Sequence, residues 1–323
     1  MNVLARYRDW GLLVACNLIW GSQFVIYKIV AQQVGPVFAT LLPTACATFL
    51  LIPIVRYEKR RGDTVCHRGR VPARDVWQYL LIGICGQVVV QLFVAWGVRF
   101  TLAANAALLM LALPIATAFM AYLFLGERMT VIRWIGFVLA IAGVIECSGI
   151  RWGELNMTGS RFLVGNAMIF CAINGSAFYN AYSKRLLRRY SPLQVLLYSY
   201  YVVVIFMLPI AIYTEPTIFR SIENLRPAVW VGLLLLAVFQ DFLAMIIFLN
   251  VLTRLDATQA GLSNYLITVF GVLIAAMVLH EHMTKFMAIG GMLVLASTLL
   301  VTVHEGRQRS LAVPDIPTHG IGR

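Results

Sequence analysis

The stretch TLAANAALLMLALPIATAFMAYLFLGERMT, residues 101–130, decides the fold, because it carries no charged residue before Glu127. It is apolar over the ~20 residues that a helix needs to cross a bilayer. Pro114 lies at its middle, where proline removes a backbone donor and frees the carbonyl of Met110, four residues earlier. The stretch therefore predicts a membrane-spanning helix with a hinge at Pro114.

The same pattern returns in LDATQAGLSNYLITVFGVLIAAMVLHEHMT, residues 255–284, at a displacement of 154 residues (255 minus 101). Glu127 then corresponds to Glu281, and many apolar positions correspond in the same way. A constant displacement over so many positions indicates an internal repeat. It divides the chain into a first repeat at 1–150, a second repeat at 151–305 and a flexible cytoplasmic tail at 306–323.

The composition indicates an integral membrane protein. The 323 residues are 60% hydrophobic and 12% charged, against about 45–50% apolar and about 25% charged in soluble domains. The mean hydropathy is +0.81. The net charge of +12 would favour a nucleic-acid partner in a soluble protein, but here the basic residues cluster between apolar segments. We therefore expect membrane lipids as partners and no nucleic acid.

The sequence lacks the motifs of a nucleotide-binding site and of a metal site. The chain has no nucleotide-binding loop of the Walker type, so ATP does not drive transport within it. Its six cysteines form no CxxC pair. His280 and His282, which flank Glu281, are two residues apart and would not share a helix face. We expect no metal and no cofactor.

Ten apolar segments follow one another along the chain. They are residues 10–30, 36–55, 76–98, 101–125, 131–150, 162–183, 192–213, 228–250, 257–279 and 286–303. Five helices in each half is an odd number, so the second half would enter the membrane from the opposite side. Inverted repeats of this kind are typical of secondary transporters. The predicted fold class is an all-α membrane protein with ten transmembrane helices in two inverted five-helix repeats.

The basic residues give this arrangement an orientation. With both termini in the cytoplasm, 19 of the 26 lysines and arginines fall on the inner side and 6 on the outer side, while Lys28 lies inside the first segment. The positive-inside rule predicts such an excess on the cytoplasmic side. We therefore predict a multi-pass protein of the cell membrane with both termini cytoplasmic.

One face of the first helix carries mixed aromatic and amide side chains. Its members recur at i, i+3, i+4 and i+7, and they are Trp20, Gln23, Phe24 and Tyr27. Such a face does not suit lipid. It therefore either lines a substrate cavity or packs against neighbouring helices, and the pattern leaves both interpretations open.

Further polar residues lie within other apolar segments, at depths where lipid would reject them. These candidate cavity residues are Gln87, Gln91, Asn174, Tyr179, Asp241, Asn264 and Tyr265. A carboxyl group at mid-membrane is functional by default, and it makes Asp241 the candidate for proton coupling. The alternative is a carboxyl group that neighbouring amides simply bury by hydrogen bonding.

Two of these segments resemble a known family. NLIWGSQFVIYK at 17–28 and LPIATAFMAYLFLGERMT at 113–130 are similar to the EamA-type family of the drug/metabolite transporter superfamily. The resemblance covers both halves, and it implies export of amino acids, drugs or other small metabolites from the cytoplasm. The chain departs from the family where Thr268 takes the place of Pro114 in the second copy. It also has TLLPTACATF at 40–49, where the family usually has an arginine.

The sequence therefore predicts a secondary active transporter and not an enzyme. It would export a small amino acid-like or drug-like metabolite across the cytoplasmic membrane by alternating access. The alternative is a membrane-embedded enzyme that acts on a lipid or an isoprenoid. Such an enzyme would gather its polar residues at one membrane face, whereas here they are scattered near the midplane of both halves. The pattern leaves open whether the protein is a monomer or a homodimer.

Overall fold

The fold is helical throughout the part of the chain that the structure describes. The computed structural model describes residues 3–61, 72–125, 130–146, 157–253 and 264–311. Within these ranges every regular element is a helix, and no strand occurs. The predicted all-α class is confirmed.

Several helices continue directly into the next helix or turn and together form long apolar segments, which we call rods. In chain order the helices are α1 (Val3–Val30), α2 (Pro36–Arg61), α3 (Ala73–Leu81), α4 (Val89–Phe100), α5 (Ala103–Leu109), α6 (Leu113–Leu125), α7 (Val131–Glu146), α8 (Met157–Leu187), α9 (Pro192–Thr214), α10 (Ile218–Ser221), α11 (Pro227–Leu235), α12 (Met245–Leu252), α13 (Tyr265–Leu279) and α14 (Lys285–Leu311). Two π-helical turns, Ile82–Val88 and Leu236–Ala244, connect α3 to α4 and α11 to α12. A 3-10 turn, Met110–Ala112, connects α5 to α6.

Seven rods of the described ranges have the length and hydropathy to cross a membrane. They are Gly11–Val30, Pro36–Arg61, Asp75–Phe100, Ala103–Met120, Arg161–Leu187, Pro192–Thr214 and Pro227–Leu252. Three shorter apolar helices, Trp134–Gly143, Tyr265–Leu279 and Lys285–Ser297, fall in the other predicted segments. The protein is therefore a multi-pass membrane protein, whereas the count of ten crossings stays a prediction.

Helix α14 runs to Leu311, past residue 306, where the sequence predicted a flexible tail to begin. A helix that leaves the membrane can continue with polar residues, because its backbone hydrogen bonds are internal. Residues 312–323 of the predicted tail lie outside the described ranges.

The two π-helical turns occupy corresponding places in the repeat. Their first residues, Ile82 and Leu236, are 154 residues apart (236 minus 82). Gln87 lies in the first turn and Asp241 in the second. A π turn bonds residue i to i+5, interrupts the regular helix and frequently occurs at functional sites. Both halves thus leave the α-helical geometry where a polar residue had been singled out.

Helix packing follows the same correspondence. Helix α1 packs on α13 as α8 packs on α6, and α4 packs on α8 as α12 packs on α1. Two further pairs, α2 with α9 and α7 with α14, join corresponding helices of the two halves to each other. Exchanging the halves therefore reproduces these contacts.

Glycines allow some of these helices to touch through their backbones. A Cβ atom at Gly21 would lie 2.9 Å from the backbone nitrogen of Gly271, and one at Gly271 would lie 2.5 Å from Cβ of Ala107. Between α7 and α14, a Cβ atom at Gly143 would lie 2.8 Å from the carbonyl oxygen of Gly290. Small residues at such crossings let membrane helices pack closely.

Glu281 ties the end of α13 to the start of α5. Its carboxylate accepts the backbone N–H of Ala103 at 3.1 Å and that of Ala104 at 2.9 Å. The first N–H groups of a helix have no partner within it, and they favour a negative charge. Nearby, Lys28 donates to the carbonyl oxygen of Thr101. The repeat counterpart of this glutamate, at position 127, lies outside the described ranges.

Glu215 makes an equivalent cap on α2. It accepts the N–H groups of Val37 and Phe38, each at 3.0 Å. At the same end of the molecule, Arg99 donates to the carbonyl oxygens of residues 31 and 34. These contacts fasten the end of the molecule at which α1 and α4 finish.

A different cluster fastens the opposite end, where α3 begins. The hydroxyl of Tyr190 donates to Asp75 Oδ2 at 2.5 Å, and Arg189 Nη1 lies 3.6 Å from Asp75 Oδ1. The pKa of Tyr190 is raised mainly by burial and, to a lesser extent, by the carboxylate of Asp75. This hydroxyl therefore keeps the proton that it donates. Lys59 donates to the hydroxyl of Tyr198 at 2.9 Å in the same region.

Candidate functional site

A cavity lies at the centre of the molecule, between rods of both halves. About 790 Å³ of space between atoms belongs to it, including the part that is open to solvent. Among the residues that line it are seven of the predicted ones, Trp20, Gln23, Tyr27, Gln87, Gln91, Tyr179 and Asp241.

Helix α1 contributes one wall of the cavity through Trp20, Gln23 and Tyr27. Phe24, which the sequence placed on the same face, is fully buried in the core instead. Its ring lies 3.5 Å from the position that a Cβ of Gly271 would take. An α-helix turns by about 100° per residue. Relative to Trp20, the side chain of Phe24 is therefore rotated in one direction around the helix axis, and those of Gln23 and Tyr27 are rotated in the other. Phe24 therefore packs on α13, which is the second of the two interpretations that the sequence left open for this face.

Asp241 is the polar centre of the cavity. Its side chain is buried at 4% exposure in the second π turn. Thr44 Oγ1 lies 3.2 Å from Oδ2, and Gln91 Nε2 donates to Oδ1 at 3.4 Å. The hydroxyl of Tyr200 donates to the backbone carbonyl of Asp241 at 2.6 Å. Four rods thus converge on this residue.

Gln91 connects Asp241 to its neighbours. Its Oε1 accepts from Thr44 Oγ1 at 2.7 Å, and its Nε2 lies 3.4 Å from Oε1 of Gln87. Asp241, Gln91 and Thr44 therefore form a ring of hydrogen-bonding side chains. Thr44 was not singled out in the sequence, because a threonine in an apolar helix most often bonds its own backbone.

A second pair of amides faces the same space. Gln240 Nε2 donates to Gln23 Oε1 at 2.8 Å. The remaining oxygen of this side chain, Gln240 Oε1, is buried and has no hydrogen-bond partner in the described part of the chain. Gln240 itself lines the cavity, next to Asp241 in the chain.

Aromatic rings cover much of the remaining wall. The rings of Trp20 and Phe248 meet at a centroid distance of 4.8 Å and an angle of 60°. Tyr27 and Tyr179 also line the cavity and are almost fully buried. The mid-helix position of Trp20, far from the interface that tryptophan prefers, is thereby explained.

Three predicted residues lie away from the cavity. Asn174 donates to the carbonyl of Phe170 at 2.8 Å, within its own helix, so its amide serves the backbone. Asn264 and Tyr265 lie at the start of α13, beside the undescribed residues 254–263. A polar residue inside an apolar segment can thus satisfy its hydrogen bonds locally, and the sequence does not distinguish this case.

Pro114 follows directly after the 3-10 turn Met110–Ala112. The N–H of Leu113 bonds the carbonyl of Met110, the group that proline leaves without its usual partner. Met110 and Leu113 both line the cavity. The irregular backbone caused by the proline therefore lies on the cavity wall.

No group of three or more metal-ligating residues occurs within the described ranges. Asp241 is the one charged residue among the described residues that line the cavity.

Comparison with known proteins identifies a family match. The model of the EamA-like transporter family matches twice, at residues 10–148 and 163–303. The chain is 27% identical to the probable terminal-alkyne amino-acid exporter of Streptantibioticus cattleyicolor, over 94% of this chain and 97% of that protein. It is 23% identical to an uncharacterized transporter of Archaeoglobus fulgidus, over 91% of this chain and 97% of that protein.

A solved crystal structure has a similar fold. The TM-score is 0.62 at 18% sequence identity, and the match covers 94% of this chain and 99% of that chain. At this identity the likeness concerns the fold alone.

Proposed function

Because the chain belongs to the EamA-like transporter family, we propose that it is a secondary active transporter that exports a small amino acid-like or drug-like molecule by alternating access. It is a multi-pass membrane transporter and not an enzyme, so the alternative of a lipid-modifying enzyme is excluded. The observation that carries the proposal is the central cavity. Residues of both matched regions line it, and one of them is the buried Asp241. The relative named as a probable amino-acid exporter supports the direction of transport.

Alternating access would use two inverted repeats of five membrane helices each. Two observations support this architecture. The π turns lie at corresponding places in the two halves, and several helix contacts recur when the corresponding helices of the two halves are exchanged. Inverted-repeat transporters bind their substrate between the repeats and rock one against the other. The carboxylate caps of Glu281 and Glu215 would be the contacts that open at one end. The cluster around Asp75 would open at the other end.

Proton coupling through Asp241 is the proposed energy source, and hydrogen-bond geometry supports it. The single hydroxyl proton of Thr44 has three acceptors in reach, namely Gln91 Oε1 at 2.7 Å, the carbonyl oxygen of Thr40 at 2.9 Å and Asp241 Oδ2 at 3.2 Å. If it goes to Gln91, only a protonated Asp241 can complete the ring, by donating from Oδ2 to Thr44. Loss of this proton breaks the ring, so proton binding and local structure are linked.

Transport assays on the wild-type protein in liposomes test the proposal. With an imposed pH gradient, at least one compound from a panel of amino acids and apolar amines should accumulate against its own gradient. Collapse of the pH gradient by nigericin should abolish this accumulation, because the proton gradient is the energy source. Accumulation that survives nigericin contradicts proton coupling, and a panel without any accumulated compound contradicts the proposed substrate range.

The orientation can be measured with the native Cys66 and a new Asn224→Cys. We propose a cell-membrane location with both termini in the cytoplasm, supported by the excess of basic residues on that side. In whole cells an impermeant maleimide should then label Asn224→Cys and leave Cys66 unlabelled until the cells are opened. Labelling of Cys66 from outside would contradict the orientation.

Pro114 is the proposed hinge, because an irregular turn on the cavity wall can bend as the halves move. Pro114→Ala restores the helix donor, and we expect it to slow substrate exchange several-fold without loss of thermal stability. Pro209→Ala, which also removes a proline from inside a helix but lies outside the cavity wall, is the matched control. Equal exchange rates for wild type and Pro114→Ala, at equal protein in the liposomes, would contradict a hinge.

A further inference from the structure

The described lining of the cavity carries a negative charge and no positive one. Asp241 is the one charged side chain among the described lining residues, and it has no ion-pair partner in the described part of the chain. Lys28 of α1 and Arg99 of α4 do not line the cavity, and they donate to backbone carbonyls at one end of the molecule. A buried charge needs a partner or neutralisation, so Asp241 requires either a proton or a cation from the cavity.

The rest of the wall suits the cation of an organic amine. The face of an aromatic ring attracts a cation, and the rings of Trp20, Tyr27 and Phe248 line the same cavity as Asp241. An ammonium ion has several N–H donors and no acceptor, so it pairs with a carboxylate through charge-assisted hydrogen bonds.

A carboxylate group on the substrate would find no matching partner. Among the described lining residues there is no lysine, arginine or histidine. A second carboxylate near Asp241 would be repelled in a site from which much of the water is excluded, where like charges interact strongly. The site therefore distinguishes an amine from an amino acid of the same shape.

We propose that the molecule bound here is a small apolar amine without a carboxylate group, held as its ammonium ion by Asp241. The assignment rests on the proposed transport function and names the chemical class of its substrate. Asp241 then binds either the ammonium ion or a proton. One proton enters for each ammonium ion that leaves, so the exchange is electroneutral.

Three compounds that share one aromatic body test the assignment. They are 2-phenylethylamine, L-phenylalanine and phenylacetate, which share a benzyl group and carry an ammonium group, both charged groups and a carboxylate group, respectively. Equilibrium binding to purified wild-type protein in lipid nanodiscs should be at least ~10-fold tighter for the amine than for phenylalanine, and absent for phenylacetate. Amine binding should weaken as the pH falls, because protons compete for the carboxylate.

Two variants locate the selectivity. Asp241→Asn should remove the preference for the amine, whereas Glu223→Gln, which removes an exposed carboxylate remote from the cavity, should preserve it. Equal or tighter binding of phenylalanine by the wild type overturns the assignment, and so does binding of none of the three. The wild-type comparison decides the question even if Asp241→Asn does not fold.

The same compounds separate this assignment from the transport proposal. Selective amine binding without pH-driven accumulation would contradict the proposed function and leave the substrate class intact. Accumulation of phenylalanine in place of the amine would do the reverse. Transport that responds to membrane potential, set with valinomycin and potassium at fixed pH on both sides, would contradict one-for-one exchange and with it the assignment of a single shared carboxylate.

Discussion

Asp241→Asn is expected to reduce pH-driven accumulation of the substrate to the level of empty liposomes. Asparagine keeps the shape of aspartate and can hydrogen-bond Thr44 and Gln91, so the ring around position 241 can persist. It cannot release or bind a proton in the functional pH range. The variant should therefore fold, but the proton gradient no longer acts on the site.

Substrate binding by the same variant should weaken about 10- to 100-fold. Hydrogen bonds to a charged group contribute about 1.5–3 kcal/mol, and about 1.4 kcal/mol corresponds to a tenfold change in affinity. The remaining binding should no longer depend on pH. Exchange of the substrate down its own gradient should be slow, because the variant lacks the counter-ion of the ammonium group.

Each outcome for this variant has a distinct meaning. If uphill accumulation fails while exchange keeps its wild-type rate, Asp241 binds only the proton, and the amine assignment is wrong. If accumulation is normal, both proton coupling and amine binding at Asp241 are wrong. Glu223→Gln, an exposed carboxylate change, controls for the loss of one negative charge.

The sequence predicts the helices well, because apolar segments of membrane length leave few alternatives to helix. It also identifies Asp241, because a charge in such a segment is costly and therefore conspicuous. Trp20, Gln23 and Tyr27 follow from the helical period, which places them on one face. The same period includes Phe24, which packs on α13, because the period gives the direction of a face but not its width.

Other parts of the site have no signal in the sequence. Thr44 lies in the segment TLLPTACATF, which departs from the family pattern, yet its hydroxyl completes the ring at Asp241. Tyr200 holds the backbone of the same residue from another rod, and contacts between distant segments are not visible in local patterns. In a π turn the backbone hydrogen bonds join residues i and i+5, whereas in an α-helix they join residues i and i+4. No residue type specifies that change.

The packing of α1 against α13 gives the other large expected effect, for Gly21→Val. A Cβ atom at this position would lie 2.9 Å from the backbone nitrogen of Gly271 and 3.0 Å from the carbonyl oxygen of residue 267. These are backbone atoms of a helix, so they cannot rotate aside as a side chain would. Overpacking of a core costs about 1–3 kcal/mol, and more where backbone must shift. The helices must therefore separate at the cavity wall that Trp20 and Ile267 form.

Gly21→Val should lower the midpoint of thermal unfolding in detergent by several degrees or more and abolish substrate binding. Gly11→Val is the matched control, because it makes the same substitution in the same helix at an exposed position, where a Cβ atom meets nothing within 4 Å. This control should unfold like the wild type, since valine at that position would face lipid. Equal midpoints for the two variants would show that α1 and α13 do not cross through Gly21, and the position of the cavity between them would have to be revised.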